Sequence, residues 1–244
     1  MRLKQAELVL SPANGKRLIA KAVLKHELFR KAKDKSIVIL SLGTTNALIY
    51  EEIIGEKIDP QSYAAGIVKD TLGVTDAKNR LKPIVLKEGN ILDIPWIEAL
   101  KQMDENSLFI KGANAFDMSR QVGILVGGEG GGTIGEAIGT LVVKKVPFLV
   151  PVGVEKRVPS VIESARLLSK SSISTKDMQV GMFVVSNATI ITEIEALNIL
   201  FDVEAHLVAS GGIDGFEGSG IFVIQGEEKN IEEALKTVAS IKQA

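Results

Sequence analysis

Several short segments of this chain combine residue types that can hold or react with a small anion. The first is Gly43-Thr44-Thr45-Asn46, which follows the apolar run Ser36–Leu42 and precedes a helical pattern. Backbone N–H groups at such a strand-to-helix turn are unpaired and sit at the positive end of the helix dipole, with threonine hydroxyls beside them. That is a cradle for phosphate or carboxylate; plain N-capping by Thr or Asn is the competing explanation, and spacing alone leaves both open. The second is a stretch in which eight of the seventeen residues 123–139 are glycine, densest at Gly127–Gly132. Glycine carries an entropic cost, so this density implies positive φ angles or a ligand lying against bare backbone at Gly128, Gly130, Gly131, Gly132 and Thr133. No Gly-Lys-Ser/Thr follows, which excludes a Walker loop. A GxGxxG read from Gly130 to Gly135 has no early β-α-β unit with a ribose acid to support it. Close packing through Gly135 and Gly139 is the alternative.

The third segment is Lys111-Gly112-Ala113-Asn114, at the end of the apolar run Ser107–Ile110. Lys111 is a candidate cation for an anionic substrate, or an electrophile once partial burial lowers its pKa; a solvated lysine at a strand end is the bland alternative. Asp117, Glu129 and Glu136 are the nearest carboxylates. One of them beside a lysine can abstract a proton next to a carbonyl, although each taken singly reads first as a cap or surface group. Lys111, Asp117 and Glu129 are therefore the candidate catalytic residues. Glu155-Lys156-Arg157 reads as a solvated charged face rather than a phosphate contact. The glycines between Gly211 and Gly218 read as a hairpin connection or oligomer contact rather than a ligand loop. His26 and His206 have no companion at metal-ligand spacing, so neither a metal nor a cofactor is expected.

The elements that must position these groups follow from periodicity. Leu18–Lys33 has apolar residues at amphipathic-helix spacing. Ser36–Leu42, Ser107–Ile110 and Pro147–Val152 are short apolar runs of the kind buried on both faces of a sheet, and Ile84–Leu86 and Gly123–Val126 are further strand candidates. Helices are expected over Ala47–Ile54, Trp96–Met103 and the residues after Thr133, whereas 59–89 reads as mixed helix and turn around a strand. Three strand–loop–helix units imply a mostly parallel sheet with helices on both faces. Ser169–Asp177, rich in Ser and Lys, marks a boundary or hinge. Beyond it, strands at Met182–Val185, His206–Ala209 and Gly220–Gln225 and helices at Thr192–Phe201 and Asn230–Ile241 suggest a small α+β unit. The expected division is a domain at 1–170 and a smaller one at 178–244.

Composition narrows the function classes. Among 244 residues there are 29 Lys+Arg against 30 Asp+Glu, a net charge of −1, which argues against a binder of nucleic-acid backbone. The chain has no cysteine, which excludes thiol nucleophiles, disulfides and iron–sulfur clusters. Only 5% of residues are aromatic, too few for stacking to be the main binding device. No long uncharged apolar stretch is present, and Met1–Gln5 leads into no signal-peptide core, so a cytoplasmic protein without membrane contact is expected.

Three of these segments resemble one superfamily. Ser41-Leu42-Gly43-Thr44-Thr45-Asn46 is similar to the Gly-Thr-Gly-Ser-Thr strand–loop of ribose-5-phosphate isomerase and its relatives. Phe109-Ile110-Lys111-Gly112-Ala113-Asn114-Ala115 resembles that enzyme's Lys-Gly-Gly-Gly segment. It also resembles the Gly-Ala-Asp segment of methylthioribose-phosphate isomerase and the initiation-factor regulatory subunits. Gly132-Thr133 with the helix after it, Lys144–Val150 and Glu155-Lys156 look like the matching parts of the latter group, in the same order over roughly residues 16–165. The resemblance implies a Rossmann-like, three-layer α/β/α fold of the sugar-phosphate isomerase/CoA-transferase type with a C-terminal ferredoxin-like unit. It implies a sugar phosphate or nucleotide-like anion as ligand, held by Thr44, Thr45 and the loop 128–133, and a homo-oligomer as the assembly. Asn114 stands where the Gly-Ala-Asp relatives carry a proton-transferring Asp, and Glu129 has no residue-by-residue match to the CoA-transferase glutamate. An isomerase, a non-catalytic ligand-binding or regulatory module, and acyl transfer through a glutamate all remain as readings.

Overall fold

In a computed structural model, residues 4–170, 173–175 and 178–242 are described. The chain opens with strand β1 (Lys4–Leu10) and helices α1 (Pro12–Lys25) and α2 (Glu27–Lys35). The single helix expected over Leu18–Lys33 is thus two. His26 divides them in extended backbone (φ −63°, ψ 140°). Its N–H closes α1 on the Ala22 and Val23 carbonyls, while its Nδ1 accepts the Leu28 N–H at 3.2 Å and caps α2. Burial lowers this imidazole's pKa against the pull of Glu27, which favours the neutral ring that can accept.

Strand β2 (Ile37–Leu40) and helix α3 (Thr44–Ile54) follow, α3 ending on left-handed Gly55. Over 59–89, read as mixed helix and turn around a strand, an unexpected antiparallel hairpin of β3 (Gly66–Val68) with β4 (Leu72–Val74) comes first. A short 3-10 turn at Ala77–Asn79 and the expected strand, present as β5 (Ile84–Lys87), come after it, and β6 (Asn90–Leu92) follows. Next come α4 (Trp96–Gln102), β7 (Leu108–Ile110), β8 (Ala115–Phe116), β9 (Val122–Val126) and α5 (Gly132–Val143). The rest comprises β10 (Phe148–Pro151), α6 (Val161–Leu168), β11 (Gly181–Val185), β12 (Thr189–Ile191), α7 (Glu193–Phe201), β13 (Glu204–Gly211), β14 (Ser219–Gly226) and α8 (Glu228–Ile241).

The protein is an α/β fold with mixed sheets. Its largest sheet has the order β12-β10-β7-β2-β5-β6, in which the first four strands are mutually parallel, β5 pairs antiparallel with β2 and β6 antiparallel with β5. Alternate residues of these strands enter two separate cores. Val38, Leu40, Ile110 and Leu149 pack with α1, α3 and α7, whereas Ile39, Phe109, Phe148 and Val150 pack with α4 and α5. Two burying faces explain why the strands read as unbroken apolar runs. Smaller antiparallel sheets are ordered β1-β14-β13 and β11-β9-β8.

Strand pairing crosses the expected division between 1–170 and 178–244 three times. β1 lies along β14 from Lys4↔Gly226 to Leu10↔Gly220, β11 pairs with β9, and β12 joins β10 in the central sheet. The expected hinge at Ser169–Asp177 falls partly outside the described residues. The glycines between Gly211 and Gly218 connect the β13–β14 hairpin. No helix among the described residues is long and apolar enough to cross a membrane.

Tyr63, fully buried, closes the end of the β2–β5 ladder. Its hydroxyl donates to the Leu40 carbonyl at 2.7 Å and accepts the Ile84 N–H at 3.2 Å, and Leu40 and Ile84 are register partners. Burial raises the phenol's pKa, so it stays protonated. Tyr63→Phe leaves both backbone groups unpaired in a dry site. Urea unfolding is expected to show a loss of about 1–3 kcal/mol; an unchanged midpoint would show that the ladder closes without the hydroxyl.

Candidate functional site

Parallel strands end on one edge of their sheet, and the loops that leave β2, β7 and β10 meet there. Ser41 N–H, just past β2, donates to the Ile110 carbonyl at 2.9 Å, and Gly43 N–H donates to the Tyr63 carbonyl at 2.7 Å. Asn46 is fully buried behind this turn, its Nδ2 donating to the carbonyls of Ser41 (2.7 Å) and Ile110 (3.4 Å). It clamps β2 to β7 and does not line the surface in front of them. α3 starts on Gly43 with no side-chain cap, and neither the Thr44 nor the Thr45 hydroxyl is engaged by another described residue.

The glycine-rich turn brings a second helix N-terminus to the same place. Gly130, Gly131 and Gly132 have φ of 68°, 79° and 58°, a left-handed run that side chains with a Cβ resist. α5 then begins on Gly131, also without a side-chain cap. A Cβ on Gly135 would overlap the Gly130 carbonyl oxygen, so Gly135 serves close packing; Gly139 faces open space. The turn therefore has both positive φ angles and a close packing contact at Gly135.

One cleft of about 380 Å³ lies between these termini. Gly43, Thr44, Thr45, Lys111, Gly112 and Asn114 line it, as do Gly128, Gly131, Gly132 and Thr133 from the turn. Gly130, turned toward Gly135, does not. The hairpin β3–β4 supplies an apolar wall through Ile67, Val68, Leu72 and Val74. Asn114 faces the cleft mouth with its Oδ1 held by the Leu125 N–H at 3.1 Å.

Three cations line the cleft. Lys111 leaves the end of β7, its amine without a hydrogen-bond or ion-pair partner among the described residues, and burial alone draws its pKa down to about 8. Lys156 donates to the Ala113 carbonyl at 3.0 Å. Burial also lowers its pKa, opposed by Glu155 and Glu193 and assisted by Lys16. Arg80 lies at the hairpin base, its Nε donating to Thr75 Oγ1 at 2.8 Å and its Nη2 to the Thr75 carbonyl. Lys156, expected on a solvated face, in fact turns inward from the loop after β10. Its place just past a parallel strand was the signal for it; Arg80 and the hairpin carried no such signal.

The expected proton-transferring carboxylates are elsewhere. Asp117 is buried outside the cleft lining, and its carboxylate accepts backbone N–H bonds from Ser119 (2.9 Å), Gln121 (3.1 Å) and Val161 (2.8 Å). Those bonds tie the β8–β9 turn to the start of α6, which is a structural task. Glu129 is exposed and outside the lining, and Glu136 is exposed on α5. Among the described residues no Asp or Glu lines the cleft. Among the described residues no group of three or more His, Cys, Asp or Glu could hold a metal.

A buried acid supports the loop from below. Glu193, at the start of α7, accepts the Val154 N–H at 2.8 Å, and a Cβ on Gly15 of α1 would overlap its other oxygen. Burial raises its pKa to about 7, with Glu155 adding to the rise and the backbone donors and Lys156 opposing it. Folded chains therefore hold more protons than unfolded ones between about pH 4.5 and 7. This contribution to stability is complete at low pH, declines as pH rises through that window and is lost above it. Glu193→Gln removes the dependence. Denaturant unfolding is expected to show the variant gaining on the parent by up to about 3 kcal/mol between pH 4.5 and 8; a constant difference would place the titration elsewhere. Compared with known proteins, the chain matches no family model, and no curated protein or solved structure is significantly similar to it.

Proposed function

We propose that this protein binds a phosphorylated small molecule of sugar-phosphate size in the cleft at the C-terminal ends of its parallel strands. One observation carries this: two uncapped helix N-termini, Lys111, Lys156 and Arg80 line a single cleft in which no described residue places a carboxylate. Each feature favours negative charge, and together they leave the empty cleft with uncompensated positive potential. Its volume suits a small ligand, and the hairpin wall gives the ligand's carbon skeleton an apolar surface.

The likeness of residues 41–46, 109–115, 132–133, 144–150 and 155–156 to the sugar-phosphate isomerase and CoA-transferase group agrees with this, because Gly43, Thr44, Lys111, Gly132, Thr133 and Lys156 of those segments line the cleft. Helices on both faces of the central sheet support a three-layer, Rossmann-like α/β/α arrangement. The sheet β1-β14-β13, with α7 and α8 against it, supports a ferredoxin-like tail completed by an N-terminal strand. Binding is better supported than isomerisation by a carboxylate base or acyl transfer through glutamate, since no acid among the described residues lines the cleft.

Thermal unfolding with inorganic phosphate, ribose 5-phosphate and a nucleoside monophosphate tests the assignment. A ligand at about 100 times its dissociation constant stabilises by about 2.7 kcal/mol, a rise of roughly 5–10 °C for a chain of this length. Lys156→Met is expected to remove most of that rise. If none of the three anions shifts the midpoint, the cleft is not a phosphate site.

A further inference from the structure

A base or nucleophile working in this cleft must come from a short list. Among the described residues its lining has no Asp, Glu, His, Cys, Ser or Tyr; the groups able to accept a proton or attack an electrophile are Lys111, Lys156 and the hydroxyls of Thr44, Thr45 and Thr133. A threonine hydroxyl is a weak nucleophile unless a base stands beside it, and no carboxylate or imidazole does so here. The choice is between two amines.

Their surroundings divide them. Lys156 is hydrogen-bonded to the Ala113 carbonyl, and Glu155 and Glu193 both favour its cationic form. It is suited to hold an anion. Lys111 has no acceptor and no carboxylate among the described residues, and it emerges from β7 between the two helix N-termini. Burial disfavours the charged form there, and the helix N-termini that share the cleft present N–H donors and no acceptor for it. An amine that gives up its proton more readily than an ordinary lysine is the better nucleophile of the two.

We propose that Lys111 forms an imine with the aldehyde or ketone of an anionic carbonyl compound bound in the cleft. This rests on the phosphate-site reading, since Lys156 and the helix N-termini would hold the anion while Lys111 meets the carbonyl. The neutral Nζ adds to the carbonyl carbon, forming the C–N bond, and the oxygen takes up a proton to give a carbinolamine. The C–O bond then breaks, the oxygen leaves as water and Nζ gives up its second proton. Amine and carbonyl thus become imine and water, with no oxidant or reductant. Protonation of that imine from solvent makes the adjacent C–H acidic, which is how such a site could promote proton transfer without a carboxylate of the expected kind.

The test incubates the intact chain with glyceraldehyde 3-phosphate, reduces with sodium borohydride and maps the adduct by mass spectrometry. One reduced adduct per chain is expected, on Lys111. It should form faster as pH rises through 8, and it should disappear in Lys111→Arg. Inorganic phosphate at about ten times its dissociation constant should suppress it about tenfold, and glyceraldehyde without the phosphate should label far more slowly. Labelling of Lys111 no faster than exposed Lys229, or an adduct on Lys156 instead, overturns the proposal. If phosphate still raises the melting temperature while Lys111 stays unlabelled, the imine fails and the binding site stands. If neither a shift nor an adduct is seen, both fall. The unmodified chain decides the matter even if Lys111→Arg folds poorly.

Discussion

A sheet that is dry on both faces can offer polar groups to water only at the ends of its strands, and the architecture of this protein turns on that constraint. β2, β7, β10 and β12 send alternate side chains into two separate cores. Because the four run parallel, the backbone that leaves them emerges on one edge, where it must turn, find hydrogen bonds or start a helix. Loops 41–45, 111–114 and 152–156 meet there for that reason. Asn46 and Tyr63 hold the edge in place from behind, one tying β2 to β7 and the other β2 to β5. The cleft is a consequence of strand direction more than of any single motif.

The distribution of charge around this edge is lopsided. Buried acids are present, but backbone amides and structural cations occupy them: Asp117 takes three N–H groups, Glu51 takes Ile58 N–H and Arg17, and Glu193 takes Val154 N–H. The cations on the cleft side have no acid of their own in the lining. Burying a charge without a partner is costly, and the cost is relieved either by an incoming counter-ion or by giving up the proton. Burial makes the proton of both Lys156 and Lys111 easier to lose, and Glu193 beneath the β10 loop shows the same desolvation acting on an acid.

Much of this layout was legible in the residues. The segments IVIL, LFI and FLVP announce strands covered on both faces, and Gly43, Gly55 and the glycines near position 130 announce turns, because these signals are local. Strands β1 and β12 were not legible. β1 buries only Leu8 and Leu10, and β12 has three residues, too few for a period-two pattern to stand out. The break at His26 hid inside an amphipathic pattern because a histidine can cap through its ring.

Sequence alone determined what short-range sterics and periodicity control: where the buried strands lie, which turns need glycine, and that Thr44, Lys111 and Gly131 each follow a strand. Tertiary structure decided which of those turns share a cleft, that β1 completes the sheet of the tail, and that Lys156 and Arg80 face inward while Asp117 and Glu129 do not. The division has a physical cause. Local conformation depends on neighbours along the chain, whereas loss of water and the company a charge keeps depend on residues a hundred positions away, and spacing along the chain does not record them.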